Sequence, residues 1–428
     1  MNRIHIAIPI TLGLVFSTQA LAQDSAEVTA AAEQDQVQLT LDDLRTFSDV
    51  FNQLRRNFVE PVDDHTLLDA AIRGMLATLD PHSAYLSPQE YQALNDSSHG
   101  RYIGIGVRLM TDDRSIVIED VFPGSPAEQA GLVPGDAIIE VDEHPVSDGP
   151  AQESIERLGG EPGTEFELTV RGADGKERRH RLSREYVMTS THEFRWLEND
   201  WGYFRMNQFY SESAIQLHEA IDSVRAEGGE FRGVVIDLRN NPGGILQPAV
   251  DLADGFLDDG LIVTTSGRAG VMEMSFAASE GQWLPGVPLV LLVDRGSASA
   301  SEVLAGALQE HGRALVVGER TFGKGSVQSV LPLRNGGGIK LTTAMYFTPS
   351  GRSIQARGIV PDVETSGLHA GGEADERIRE SDLDRHLDET GPALTEDGLP
   401  RKLKMEFDLD EILAVLENAG LIAGSGED

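Results

Sequence analysis

Between Trp201 and Val363 short apolar runs alternate with stretches of helical spacing, and this alternation constrains the fold more than any other feature of the chain. Gly233-Val-Val-Ile-Asp-Leu238, Leu261–Thr265, Leu289–Val293 and Ala314–Val317 are almost continuously hydrophobic, with predicted helices at Gln247–Phe256 and Ser299–Glu310 among them. Strands that are apolar on both faces need cover on both sides, which argues for an α/β core with largely parallel strands. Ligands of such folds gather at the carboxyl ends of the strands. Two loops stand there: Asn240-Asn-Pro-Gly-Gly244 and the small-residue turn Gly296-Ser-Ala-Ser-Ala-Ser-Glu302.

A chain of 428 residues is too long for one ordinary domain, so the protein reads as multidomain α/β. Residues 1–22 carry Arg3, an apolar run Ile6–Phe16 and Ala20-Leu-Ala22, the pattern of a signal peptide cleaved after Ala22, which predicts a periplasmic or secreted protein. The run is too short to span a bilayer well, so a retained anchor is the lesser reading. Residues 23–39 lack periodicity and are expected to be disordered. Residues 40–98 form a helical N-terminal region, with apolar residues at helical spacing over Thr40–Val59 (Leu41, Leu44, Phe47, Val50, Phe51, Leu54, Phe58) and again over Leu67–Leu79. Residues 99–187 read as a compact β-rich module with strands near Ile103–Leu109, Ser115–Val121, Ala137–Val141 and Glu165–Val170, and helices after Ser125-Pro126 and over Ala151–Leu158. The core runs over 188–365. Residues 366–400 are Gly- and acid-rich and predict a flexible linker; 401–428 hold a helix over Leu409–Leu421 and a tail. Asp408 and Glu411 have capping-box spacing there, and Ile412, Leu413 and Leu416 make an apolar face suited to docking back on the core.

Cysteine is absent, which excludes disulfides, a thiolate nucleophile and a Cys-ligated metal. A formal net charge of −35 repels nucleic acid and anionic membrane surfaces. The chemistry that remains open centres on hydroxyls and amines. Ser299-x-x-Glu302 spaces a helix cap, yet a helix N-terminus also supplies the oriented N–H groups that stabilise an oxyanion. Ser297, Ser299 and Ser301 alternate, and the local sequence does not choose among them. Further on, Lys324 lies between Gly323 and Gly325, either as a solvated turn residue or as an amine close enough to activate a serine, which requires burial to keep it neutral. Gln328 would share a face with Lys324 on a regular strand. Gly243 and Gly244 could turn an amide inward; Asp237 and Arg239 suit a structural ion pair.

Other motifs fail on inspection. Gly318-Glu-Arg-Thr-Phe-Gly323-Lys324 resembles a phosphate loop until Gly325 replaces the Mg²⁺-holding Ser or Thr. His218-Glu219 and His192-Glu193 lack a zinc peptidase's second histidine, and His311 reads as an ordinary helix-end residue.

Taken together the chain resembles the carboxyl-terminal processing proteases, also called tail-specific proteases. The resemblance covers roughly residues 40–365 and rests on five blocks in order: Ala71–Leu76 with Leu79-Asp-Pro-His-Ser-Ala-Tyr85, Val234–Gly244, Val293–Gln309, Val317–Gln328, and Gly351–Asp362. It implies a serine endopeptidase whose α/β core resembles the ClpP/crotonase fold, with an inserted PDZ domain. By that similarity Ser299 is the nucleophile, Lys324 the general base and Gln328 the group that orients it. The oxyanion hole would use the backbone N–H of Ala300 and of either Gly243 or Gly244. The loop Gly104-Ile105-Gly106-Val107 would bind the terminal carboxylate of a protein or peptide with an apolar tail. An adaptor protein and a homo-oligomer remain open as further partners. No metal, nucleotide or other cofactor is implied. Two readings from other classes stand beside this one: a catalytically silent PDZ scaffold that only delivers tails, and a penicillin-recognising acyl transferase, which a β-lactam would label.

Overall fold

The computed structural model describes residues 39–111, 115–122, 124–188, 192–268, 273–365, 378–388 and 408–422. The expected signal peptide and nearly all of the expected disordered start lie outside them. Two compact units are separable, Met1–Ala71 and Ile72–Asp428. The first contains the helix Leu41–Asn57, which starts at Thr40 with a full capping box to Asp43. Its apolar residues Leu41, Leu44, Phe47, Val50 and Leu54 are exposed. No helix among the described residues is long and apolar enough to cross a membrane.

In the second unit, the six-stranded sheet follows the order Glu193–Trp196, Trp201–Arg205, Gly233–Asp237, Leu289–Val293, Leu315–Gly318, Val363–Glu364. All neighbours are parallel except the first pair. Side chains alternate between two cores, as the period of a strand requires. Phe204, Val234, Ile236, Leu289, Leu291 and Val316 face the helices Ser213–Ala226, Leu246–Phe256 and Ala300–Glu310. Tyr203, Val235, Val290, Leu292, Leu315 and Val317 face the opposite way, onto Ile412, Val415 and Leu416. The C-terminal helix, Leu409–Asn418, therefore docks back on the sheet. It ends earlier than expected because Gly420 takes φ +66 and the Leu421 N–H closes onto the Leu416 carbonyl at 2.8 Å, a glycine-terminated cap.

A second, antiparallel sheet runs beside the core and takes the strand Leu261–Gly267, which the alternation had assigned to the parallel core. Its centre is the long strand Gly338–Phe347, which pairs with Ala84–Leu86, Leu261–Gly267 and Ser326–Pro332. The β-rich module is a separate sheet, Val107–Thr111, Ile116–Val121, Ala137–Val141, Glu165–Arg171 and Glu177–Ser183, around a core that includes Ile105, Ile116, Ile118, Leu168 and Leu158.

Two further expectations need correction. The predicted strand Ile103–Leu109 is broken, because Ile105 turns into the module's core and Gly106 adopts φ +80. The predicted flexible linker 366–400 contains an ordered piece, Ile378–Asp388, whose Glu380 is fully buried on a short 3-10 turn. Its charge hid this, since an acid-rich run reads as solvated unless a buried partner is known.

Candidate active site

The turn after Leu289–Val293 is bound to the neighbouring strand's loop through its small side chains. Asp294 accepts from the N–H groups of Asn240 (2.8 Å) and Gly296 (2.9 Å). Ser297 Oγ donates to the Leu238 carbonyl at 2.8 Å and Ser301 Oγ to the Asn241 carbonyl at 3.0 Å. Two of the three alternating serines thus hold the turn to the loop. Ser299 stands between them with φ +54 and ψ −113, a conformation a non-glycine residue adopts only under strain. Of the expected capping box, the return half is formed: the Ser299 N–H donates to Glu302 at 2.8 Å, and the serine side chain makes no cap hydrogen bond.

Gly243 packs directly against this turn. A Cβ on it would lie 2.7 Å from the Ala298 carbonyl and 2.9 Å from both the Ala300 nitrogen and Ser299 Cβ. Its own N–H donates to Asn241 Oδ1 at 2.9 Å, while Gly244 is pressed on the backbone of Phe209. Ala300 is the first residue of the buried helix, where N–H groups lack intrahelical acceptors.

The Lys324 loop is joined to the serine turn from the other sheet, the Phe322 N–H donating to the Ser297 carbonyl at 3.0 Å. The lysine precedes the strand Ser326–Pro332, and its loop is held by the buried Glu302, which accepts from Thr321 Oγ1 (2.5 Å), Gly323 N–H (2.8 Å) and Lys324 N–H (2.9 Å) as well as from Ser299. One carboxylate therefore fixes the backbone of both candidate residues. Burial pushes the Glu302 carboxyl up to about 7 against these four donors. Burial, and then the Lys340 ammonium, lower the lysine from its ordinary range, while Glu380, Glu302 and Asp80 act in the opposite direction. Gly323 takes φ +97, and a Cβ on Gly325 would sit 2.3 Å from the Gln355 nitrogen, so both glycines are required.

Gln328 does not share a regular strand face with Lys324, because the lysine lies before the strand and a bulge falls between Val327 and Gln328. Its amide donates to Ser326 Oγ at 2.9 Å. Asp237 and Arg239 form the expected structural pair at 2.6 Å, joined by the Tyr203 hydroxyl at 2.7 Å; burial and the Asp237 charge push that phenol up to about 12. His311 bonds the Leu261 carbonyl at 2.7 Å, away from this chemistry.

In the β-rich module, Gly104 lies under the Tyr102 ring and Gly106 against Ser125, with no room for a side chain at either. The Gly106 carbonyl accepts from Phe122 N–H at 2.9 Å, which makes Val107 and Val121 a non-hydrogen-bonded pair and points the Val107 N–H away from that neighbour. The helix Ala151–Leu158 packs Ala151, Ser154 and Leu158 inward.

Residues 200–365 match peptidase family S41, residues 93–171 the PDZ domain, and residues 9–89 the N-terminal domain of the activating protease CtpB. A carboxy-terminal-processing protease of Bartonella bacilliformis is 37% identical over 353 residues, 82% of this chain and 80% of its own length. The chain belongs to the carboxyl-terminal processing proteases. The carboxy-terminal processing protease CtpA of Bacillus subtilis is 31% identical over 361 residues, 84% of this chain and 74% of its own length. Among solved structures, the photosystem II D1 C-terminal processing protease is 31% identical, covering 77% of this chain and 94% of that one with a TM-score of 0.45. Membership makes the protein a serine protease with a PDZ domain, and the S41 core is the α/β sheet that carries both loops.

What the sequence did not disclose in this carboxyl-terminal processing protease is the reach of Glu302. It reads as a local helix cap, yet it also holds the lysine's loop. The available signal was an acid inside an otherwise apolar helix, Ala300-Ser-Glu-Val-Leu304.

Proposed function

We propose that this serine protease cleaves proteins bearing apolar C-terminal tails, with Ser299 as nucleophile and Lys324 as general base. The observation that carries the reading is the division of labour among the serines. Ser297 and Ser301 spend their hydroxyls on backbone carbonyls, while Ser299 holds a strained turn at a helix start and shares Glu302 with Lys324. Attack by Ser299 Oγ on the scissile carbonyl passes the hydroxyl proton to the neutral lysine, which burial favours. The resulting oxyanion meets the Ala300 N–H and one amide of Gly243-Gly244; Gly243 would first exchange its bond to Asn241. Collapse breaks the C–N bond, the lysine ammonium protonates the leaving amine, and water then releases the acyl group. Gln328 serves as the lysine's orienting partner in this scheme, turning from Ser326.

The Gly104-Ile105-Gly106-Val107 loop is the proposed seat of the tail's carboxylate: the Val107 N–H points away from Val121, and the Tyr102 hydroxyl beside the Gly106 and Val107 amides would give way to the ligand. Cleavage after Ala22 and a periplasmic or secreted location complete the reading. Intact mass spectrometry of a reporter protein with an apolar tail tests it. Wild type is expected to cleave, and Ser299→Ala and Lys324→Ala to lose turnover by about 10⁴-fold or more while still binding the tail. Retained turnover in Lys324→Ala would exclude the Ser/Lys mechanism.

A further inference from the structure

Lys324 donates its own N–H to Glu302, but the next N–H, that of Gly325, goes elsewhere: to Gln355 Oε1 at 2.9 Å. Gln355 is wholly buried, and its Nε2 donates to Glu380 Oε1 at 2.8 Å and to the Leu387 carbonyl at 3.1 Å. The Glu380 carboxylate also faces His82 Nε2, at 2.8 and 3.0 Å, and the Glu380 N–H donates to the Phe322 carbonyl at 3.2 Å. Glu380 itself has no exposed surface. It lies beyond residue 365, where the match to the S41 family ends.

A side-chain amide has a donor end and an acceptor end that can exchange by rotation, and its neighbours decide which way it points. An ionised carboxylate only accepts. Glu380 therefore obliges Gln355 to turn Nε2 toward it and Oε1 toward Gly325, which clamps the peptide just after the lysine. The charge of the same carboxylate acts on the amine together with those of Glu302 and Asp80, and the Lys340 charge acts in the opposite direction. We propose that Glu380 is a positioning residue for Lys324, fixing the backbone of its loop through Gln355. This rests on the reading of Lys324 as the general base. It also gives a role to two sequence blocks otherwise unused, Asp80-Pro-His82 and Gly351–Gln355.

The test uses the full chain, an internally quenched peptide with an apolar free C-terminus, and the rate at which a fluorophosphonate labels Ser299, each measured across pH. Glu380→Gln keeps the volume and an acceptor oxygen but removes the charge. The lysine then loses its proton more easily, so the rising limb of kcat and of labelling is expected to move to lower pH by about half a unit. Glu380→Ala also removes the acceptor, and kcat is expected to fall about tenfold or more with KM within about twofold. In His82→Asn, which retains Glu380, the limb should persist, because it belongs to the amine.

Loss of kcat in both Glu380 variants with an unmoved limb would reduce the residue to a structural part and overturn the proposal, as would wild-type profiles in both. Disappearance of the limb in His82→Asn would assign it to the imidazole and overturn it equally. Should the wild type neither cleave nor take the label, the Ser/Lys reading fails first, and the proposal with it.

Discussion

The serine turn and the lysine loop meet at one site but are built in different ways. The serine turn is held by residues of adjacent parallel strands: Leu238 and Asn241 from one loop, Asp294, Ser297 and Ser301 from the next. The lysine loop gives the N–H groups of Gly323, Lys324 and Gly325 to two side chains, Glu302 and Gln355. One half is a product of the sheet. The other is assembled from far-apart segments, with the Ala356 N–H on the Gly323 carbonyl (2.8 Å) and the Tyr346 N–H on the Gly325 carbonyl (2.6 Å) beside those side-chain bonds.

Glu302→Ala attacks a side chain bonded to both halves and should have the largest effect. It leaves three N–H groups and a hydroxyl without their acceptor, so stability is expected to fall by about 3 kcal/mol or more in urea unfolding, with turnover abolished. Survival of activity would mean that the halves are positioned independently.

Next come paired changes, one in each half. Gly325→Ala drives a Cβ to 2.3 Å from the Gln355 nitrogen and should cut kcat by about 100-fold. Ser301→Ala removes only one bond to the Asn241 carbonyl and should cost about 1 kcal/mol of stability and little activity. Equal losses of kcat would erase the contrast.

The effect with the least bearing on activity is one of pH. The Glu302 carboxyl is raised above its ordinary range to about 7, so its contribution to stability is full below pH 4.5 and is lost as pH rises through 7. His192, lowered by burial, acts with the opposite sign in the overlapping window. In a His192→Asn background the unfolding free energy should therefore decline from pH 4.5 to 7.5, by an amount on the order of 1–3 kcal/mol. A rise over that range would show Glu302 to be ionised by its donors at low pH.

The contrast also explains what could be read from the chain. Gly233–Leu238, Leu289–Val293 and the helix Ala300–Glu310 were legible because apolar runs and periodicity are local, and the serine turn follows directly from them. The long strand Gly338–Phe347 was not, since its mixed Thr, Lys and Ala face is only partly buried and carries no clean alternation. Gln328 illustrates the limit of period counting, as one bulge displaced the expected face. Glu380 was read as linker because nothing near it in sequence announces His82 or Gln355. Long-range polar partners leave no periodic trace.

The helix Leu409–Asn418 has one more consequence. Until residues 408–422 have been synthesised, Tyr203, Val290 and Leu292 have no cover on that side of the sheet, and Arg239, just ahead of the Asn240 loop, lacks the Leu421 carbonyl it holds at 2.8 Å. One face of the sheet is therefore completed by a segment that lies far beyond both the serine and the lysine along the chain.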